Sequence, residues 1–276
     1  MSMHYLPSPA ETRRLSTEEL RAAFLVQGLF RPGAATIRFF DLDRVALGGV
    51  VPARAPLALP NPPELAAEFF LERRELGVVN VGGAGSVRVD GAVSRLGTRD
   101  ALFVGRGRRQ VEFSSDDPAR PARYYLVSYP AHAAFPTAHV TPAQAEAAEL
   151  GTPDGANRRV LRRYFHPEGV PTAQLVMGVT DLEAGSVWNT MPAHTHARRT
   201  EVYLYFDLPA DGFVIHLMGE PGETRHLVVR EGEAVLSPGW SVHAGVGSAR
   251  YAFCWAMGGE NQAFGDMQGV PPGELR

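Results

Sequence analysis

The sequence has a single cysteine, Cys254, in 276 residues. No disulfide can therefore close within the chain, and no zinc site can be built from thiolates. A reducing, cytoplasmic setting is the expectation. The chain also lacks an excess of charge: twenty-seven basic against thirty acidic residues leave a net −3, with no basic surplus to bind a phosphate backbone or an anionic membrane. No stretch at the start has the apolar length of an export signal. The uncharged run Tyr124–Ala145 is broken by Pro130, Pro136 and Pro142, whereas a membrane helix needs about 20 mostly apolar residues. Neither nucleic acid nor membrane is an expected partner. Helical periodicity is also scarce. It is clearest at Ser16–Phe24, where Ser16 and Glu19 form a capping box, with shorter candidates around Pro63–Phe70 and Pro142–Leu150.

Twenty-nine glycines and twenty-two prolines are scattered between short apolar alternations, the punctuation of a many-stranded β protein. Strand-like runs include Val78–Val81, Gly85–Val89, Ala101–Val104, Val111–Phe113 and Tyr124–Tyr129, then Gln174–Leu182, Thr200–Phe206, Phe213–Met218, His226–Arg230, Ala234–Ser237 and Arg250–Met257. These spacings predict an antiparallel, all-β-dominated fold of sandwich or barrel type. The polar, turn-rich segment Leu150–Arg163 separates two strand-rich stretches of similar size. It predicts two domains, residues 1–155, with an N-terminal helical arm, and residues 156–276.

The most informative stretch is GSVWNTMPAHTHARRTEVYLYF, Gly185–Phe206. His194 and His196 are two apart, so on extended backbone their rings leave the same face. Glu201 follows on a strand where it shares a face with Tyr203 and Tyr205. A fourth donor, His243, lies just beyond the turn Pro238-Gly239. Three imidazoles and one carboxylate suit a divalent cation. Zinc, iron, manganese, nickel and cobalt all remain open on donor chemistry alone.

This H-x-H-x4-E pattern with a distal P-G-x-x-x-H resembles the cupin superfamily of small antiparallel β-barrels. Trp240 stands where that superfamily usually has glycine, and Gly247 where it often has asparagine. A narrower resemblance covers nearly the whole chain. The segments FFLERRELGVVNVGGAGSVRVDG (Phe69–Gly91), Tyr164–Pro209 with its core WNTMPAHTHARRTEVY, MGEPGETRHLVV (Met218–Val229), SPGWSVHAGVG (Ser237–Gly247) and GENQAFGDM (Gly259–Met267) are similar to the bicupin family of 4-deoxy-L-threo-5-hexosulose-uronate ketol-isomerases, also called 5-keto-4-deoxyuronate isomerases. The resemblance implies two cupin barrels. The first, without H-x-H or a late histidine, would be metal-free; the second would hold one divalent ion per subunit, zinc first, on His194, His196, Glu201 and His243. It further implies a small anionic sugar as substrate, an aldose–ketose isomerisation in pectin and uronate degradation, and a homo-oligomer, expected to be a hexamer.

The substrate's carboxylate calls for a guanidinium. Arg199, two residues before a proposed ligand, is the expected partner, followed by Arg163 and Arg225. Tyr203 is a candidate to orient substrate and Trp240 to wall the site. For the proton-transfer base, His226, Glu220 and Glu223 fall in one loop–strand segment. Three other readings use the same residues: 5-deoxy-glucuronate isomerase of inositol catabolism, a cupin metal-dependent dioxygenase, and a non-catalytic sugar-binding bicupin. Oxygen uptake separates the second, and the absence of any isomerised product the third.

Overall fold

The computed structural model describes residues 3–276 and is built from antiparallel sheets. It divides into two compact units that are discontinuous in sequence. One takes residues up to His4, Gly28–Glu146 and Tyr164–Met177; the other takes Tyr5–Gln27, Ala147–Arg163 and Gly178–Arg276. A single cut near residue 155 does not describe this. The amino-terminal arm joins the C-terminal unit because Leu25–Val26 pairs antiparallel with Val235 and Ala234, which supplies hydrogen-bond partners to an edge that would otherwise be open.

In the first unit a six-stranded sheet runs in the order Ala138–Val140, Ala101–Val104, Arg74–Asn80, Tyr124–Pro130, Ala46–Val51, Ala34–Phe39. A four-stranded sheet, Leu57–Ala58, Val111–Ser115, Gly85–Val89, Ala92–Leu96, supplies the other face. The period of two in Gly85–Val89 buries Val87 and Val89 and leaves Arg88 in solvent. These valines, Val111 and Phe113 belong to one core with Leu76, Val78, Leu102, Val104 and Leu126. Each such side chain contributes about 1.5–3 kcal/mol on leaving water.

The second unit repeats the plan. A seven-stranded sheet, its strands wholly or mostly in this unit, runs Leu25–Val26, Ala234–Ser237, Arg199–Phe206, Ala252–Gly259, Val176–Leu182, Arg159–Phe165, Glu146–Leu150. A four-stranded sheet consists of Trp188–Asn189, Ala244–Gly247, Val214–Glu220 and Glu223–Val229. The helix Thr17–Phe24 forms where expected, with Ser16 as N-cap and the reciprocal Glu19 bond in place; it buries Leu20 and Phe24. A second capping box, Ser8 with Glu11, starts the short helix Pro9–Thr12. The other two helical expectations give way. Pro63–Leu65 makes one 3-10 turn, and Glu146–Leu150 is a mostly exposed strand. The apolar spacing of that last segment is too weak to hold a helix once the sheet edge beside Arg159–Phe165 offers backbone partners. No helix of the described residues is long and apolar enough to cross a membrane. Cys254 is buried in its strand, and burial pushes its thiol well above the ordinary range.

Candidate metal centre

Four side chains from three separate backbone segments meet in the second unit. His194 belongs to the two-residue strand His194–Thr195, which pairs with Gln268–Gly269. His196 follows one residue past that strand. The C-terminal segment holds this piece of chain in place: Val270 N–H donates to Ala193 O at 2.9 Å, and Ala197 N–H donates to Gln268 Oε1 at 2.7 Å. Glu201 lies on the strand Arg199–Phe206, and His243 comes after the Pro238-Gly239 turn.

His194 Nε2 lies 3.2 Å from His196 Nε2 and 3.0 Å from His243 Nε2. Glu201 Oε2 lies 2.9 Å from His243 Nε2 and 3.3 Å from His196 Nε2. All four donor atoms fall within 4.8 Å of one another. Three imidazole nitrogens facing one another at such distances cannot all be satisfied by mutual hydrogen bonds. They are spaced as a cation about 2.0–2.2 Å from each donor would space them. The donor set therefore fits a divalent ion.

The groups behind the ligands fix ring orientation. His196 Nδ1 is 2.7 Å from the Asp266 carbonyl oxygen and donates to it, which leaves Nε2 with its lone pair toward the centre. His243 Nδ1 is 3.2 Å from Ser237 Oγ. His194, His196 and Glu201 line one cavity, and His243, 1% exposed, is buried behind it. Burial, reinforced by His243, lowers His194 to about 3. Burial by itself would raise Glu201, but the charge of His243 and the hydrogen bonds from both histidines hold it well below the ordinary carboxylate range.

Gly239 explains the Pro-Gly turn that departs from the usual cupin spacing. A Cβ there would stand 2.5 Å from His196 O and 3.0 Å from Arg199 O, and Gly239 O accepts from His196 N–H at 3.2 Å. The turn packs backbone to backbone against the H-x-H segment, so glycine is needed at this position rather than the next. Trp240 lies to one side, its ring edge-on to Phe24 at 6.3 Å.

The cavity beside the four donors has a volume of about 260 Å³. Its polar lining comes from Arg159, Thr180, Thr190 and Tyr203, and its apolar wall includes Phe253, Trp255, Met257, Phe264 and Met267. Tyr203 hydrogen-bonds with Thr190 and Glu201, and burial keeps its hydroxyl protonated well above the usual tyrosine range.

The remaining sequence candidates lie elsewhere. Arg199 is 1% exposed and faces away from the cavity; its Nη2 donates to Asp266 O at 3.0 Å, behind His196. Arg225 donates to Thr12 O at 2.9 Å and to Leu15 O at 2.7 Å. Arg163 stacks its guanidinium 5.1 Å from the Phe264 ring centre. Glu220 accepts from Arg13 Nε at 2.9 Å. Glu223 and His226 are exposed on the strand Glu223–Val229. None of these lines the cavity. Arg159, Ser237 and Asp266 were not singled out by the sequence. The sequence signals for two of them were the segments SPGWSVHAGVG, which begins at Ser237, and GENQAFGDM, which contains Asp266.

A model of the KduI/IolB family matches residues 54–268. The chain belongs to the KduI/IolB family. This family member is 54% identical over 277 residues to the 4-deoxy-L-threo-5-hexosulose-uronate ketol-isomerase of Opitutus terrae, with all of both chains covered. It is 47% identical to the protein of the same name from Dickeya dadantii, over 96% of each chain. Among solved structures, an IolB-like protein from Salmonella typhimurium superposes with a TM-score of 0.71 at 14% identity, covering 90% of this chain and 96% of that one. Bacillus subtilis oxalate decarboxylase superposes at 0.56 and 10%, covering 79% and 70%. At such identities the structures speak for the two-barrel fold alone.

Proposed function

We propose that the chain is an aldose–ketose isomerase that converts 5-dehydro-4-deoxy-D-glucuronate to 3-deoxy-D-glycero-2,5-hexodiulosonate. The carrying observation is the convergence of His194, His196, Glu201 and His243 beside a cavity, in a chain about half identical over its full length to enzymes of that name. The cavity lies just under the range of about 300–1,000 Å³ typical of small-molecule sites, a size suited to a six-carbon acid.

The reaction shifts a carbonyl from C1 to C2: a proton leaves C2, an enediolate forms, and a proton arrives at C1. A divalent cation held by the four side chains, for which zinc is the favoured species, would polarise the carbonyl and offset charge on the two oxygens without redox change. The protein's own contributions are more specific. The Nδ1 bonds of His196 and His243 hold both rings so that Nε2 faces the centre. The Tyr203 hydroxyl, protonated and hydrogen-bonded to Thr190 and Glu201, braces the carboxylate donor at the cavity wall. Trp255, Phe253, Phe264 and the two methionines keep bulk water from a reactive enediolate. No lysine occurs anywhere in the chain, so a Schiff-base route has no side-chain amine to use.

The test is metal analysis paired with an isomerase assay on the 4-deoxy-5-keto uronate and on 5-deoxy-glucuronate, before and after chelation, with and without oxygen. Stoichiometric metal, loss of turnover on chelation, recovery on re-addition and preference for the first substrate are expected. Preference for 5-deoxy-glucuronate, or full turnover after complete removal of metal, would overturn the reading.

A further inference from the structure

The segment Arg158-Arg159-Val160-Leu161-Arg162-Arg163 places four arginines on and beside one strand, and the alternation of that strand gives them different surroundings. Arg158 Nε lies 3.2 Å from Glu183 Oε2, and Arg162 Nη1 lies 2.7 Å from Asp181 Oδ2. Arg163 covers the Phe264 ring. Arg159 and Leu161 face the cavity. Arg159 makes one hydrogen bond, Nη1 to Asn157 O at 2.8 Å, and has no carboxylate partner among the described residues. It is half-buried, and its guanidinium is the only cationic side chain among the residues lining the cavity. Burial lowers its pKa below the ordinary arginine value, while Tyr203 and Tyr251 pull it back up.

A half-buried guanidinium with donors to spare, aimed into a cavity whose other charged groups are the candidate metal ligands, is suited to an anion from outside the chain. We propose that Arg159 binds the substrate carboxylate and so sets which end of the six-carbon chain meets the His194–His196–Glu201–His243 group. Placing the anionic C6 end at Arg159 leaves the C1–C2 end free to reach the four donors. The inference rests on the isomerase reading for the identity of the substrate, but the recognition of a carboxylate can be tested without catalysis.

Two measurements test it. In the first, D-glucuronate is titrated into wild type, Arg159→Met and Arg159→Lys while tryptophan emission is followed, since Trp255 lines the same cavity. Losing a charge-assisted pair is expected to weaken binding by at least about tenfold in Arg159→Met. Arg159→Lys, with charge but no planar fork, should fall between. In the second, turnover of the uronate is compared with turnover of its neutral analogue carrying a hydroxymethyl group at C6. Arg159→Met should raise KM for the acid, leave kcat within a few fold, leave metal content unchanged, and treat the neutral analogue as wild type does. The proposal fails if D-glucuronate binds Arg159→Met within about twofold of wild type, or if the variant loses the neutral analogue as severely as the acid. A wild-type protein that binds D-glucuronate through Arg159 but does not isomerise the uronate would refute the isomerase assignment and leave the carboxylate site standing.

Discussion

Ser237 stands directly across the sheet from Glu201, and its Oγ lies 3.2 Å from His243 Nδ1. One register pair thus ties the carboxylate donor to the group that orients the last imidazole. His243 Nε2 in turn sits 2.9 Å from Glu201 Oε2, which closes a small loop of contacts around the centre.

Ser237→Ala should keep the fold, since a buried hydroxyl is replaced by a smaller apolar group, but free the His243 ring. Metal affinity is expected to fall about 10–100-fold, the usual effect of removing a partner behind a ligand. His196→Ala removes a donor outright and should cost more in both metal content and turnover. Competitive chelation with a chromophoric indicator measures the metal affinities, and the isomerase assay measures turnover. Equal affinity in wild type and Ser237→Ala would show that the serine does not orient the ring.

Acid should destabilise the protein partly through His216. Its Nδ1 shares a hydrogen bond with the Tyr205 hydroxyl at 2.7 Å, its Nε2 is buried without a partner, and burial lowers its pKa to about 3. The folded value is depressed for a base, so below about pH 6.5 the unfolded chain takes up a proton that the folded chain refuses. The neutral ring leaves stability unaffected above about pH 6.5. Stability is lost as pH falls from there toward 3. Urea midpoints of metal-stripped wild type and His216→Gln, compared across that window, should converge as pH falls. Parallel curves would remove His216 as the cause.

Glu75 is fully buried, and its carboxylate accepts N–H groups from Ala173, Gln174 and Leu175 at 2.7–2.8 Å. Burial raises its pKa while those three donors oppose the rise. Glu75→Gln must turn an amide NH2 toward at least one backbone N–H, donor against donor. A loss of about 1–3 kcal/mol in unfolding free energy is expected. An unchanged denaturation midpoint at constant m-value would contradict this.

Much of the fold could be read directly from short apolar runs and their punctuation. Gly85–Val89, Ala101–Val104, Thr200–Phe206 and Ala234–Ser237 all form strands at or within a residue of their expected limits: the first alternates buried with more exposed residues, and the other three are buried at every position. The helix Thr17–Phe24 was legible because its capping box is purely local. Glu146–Leu150 was misread as helical because an exposed edge strand owes its form to a neighbouring backbone, which no short window contains.

The sequence by itself determined which donor types are available and that His194, His196 and Glu201 share one short stretch, since two- and five-residue spacings are settled by local geometry. Only the tertiary structure decided which arginine reaches the cavity. Arg199 is nearest to the ligands along the chain yet turns behind His196, while Arg159, distant in sequence, faces the open space. Chain proximity sets the face of a strand, but the pairing of strands decides what that face looks upon.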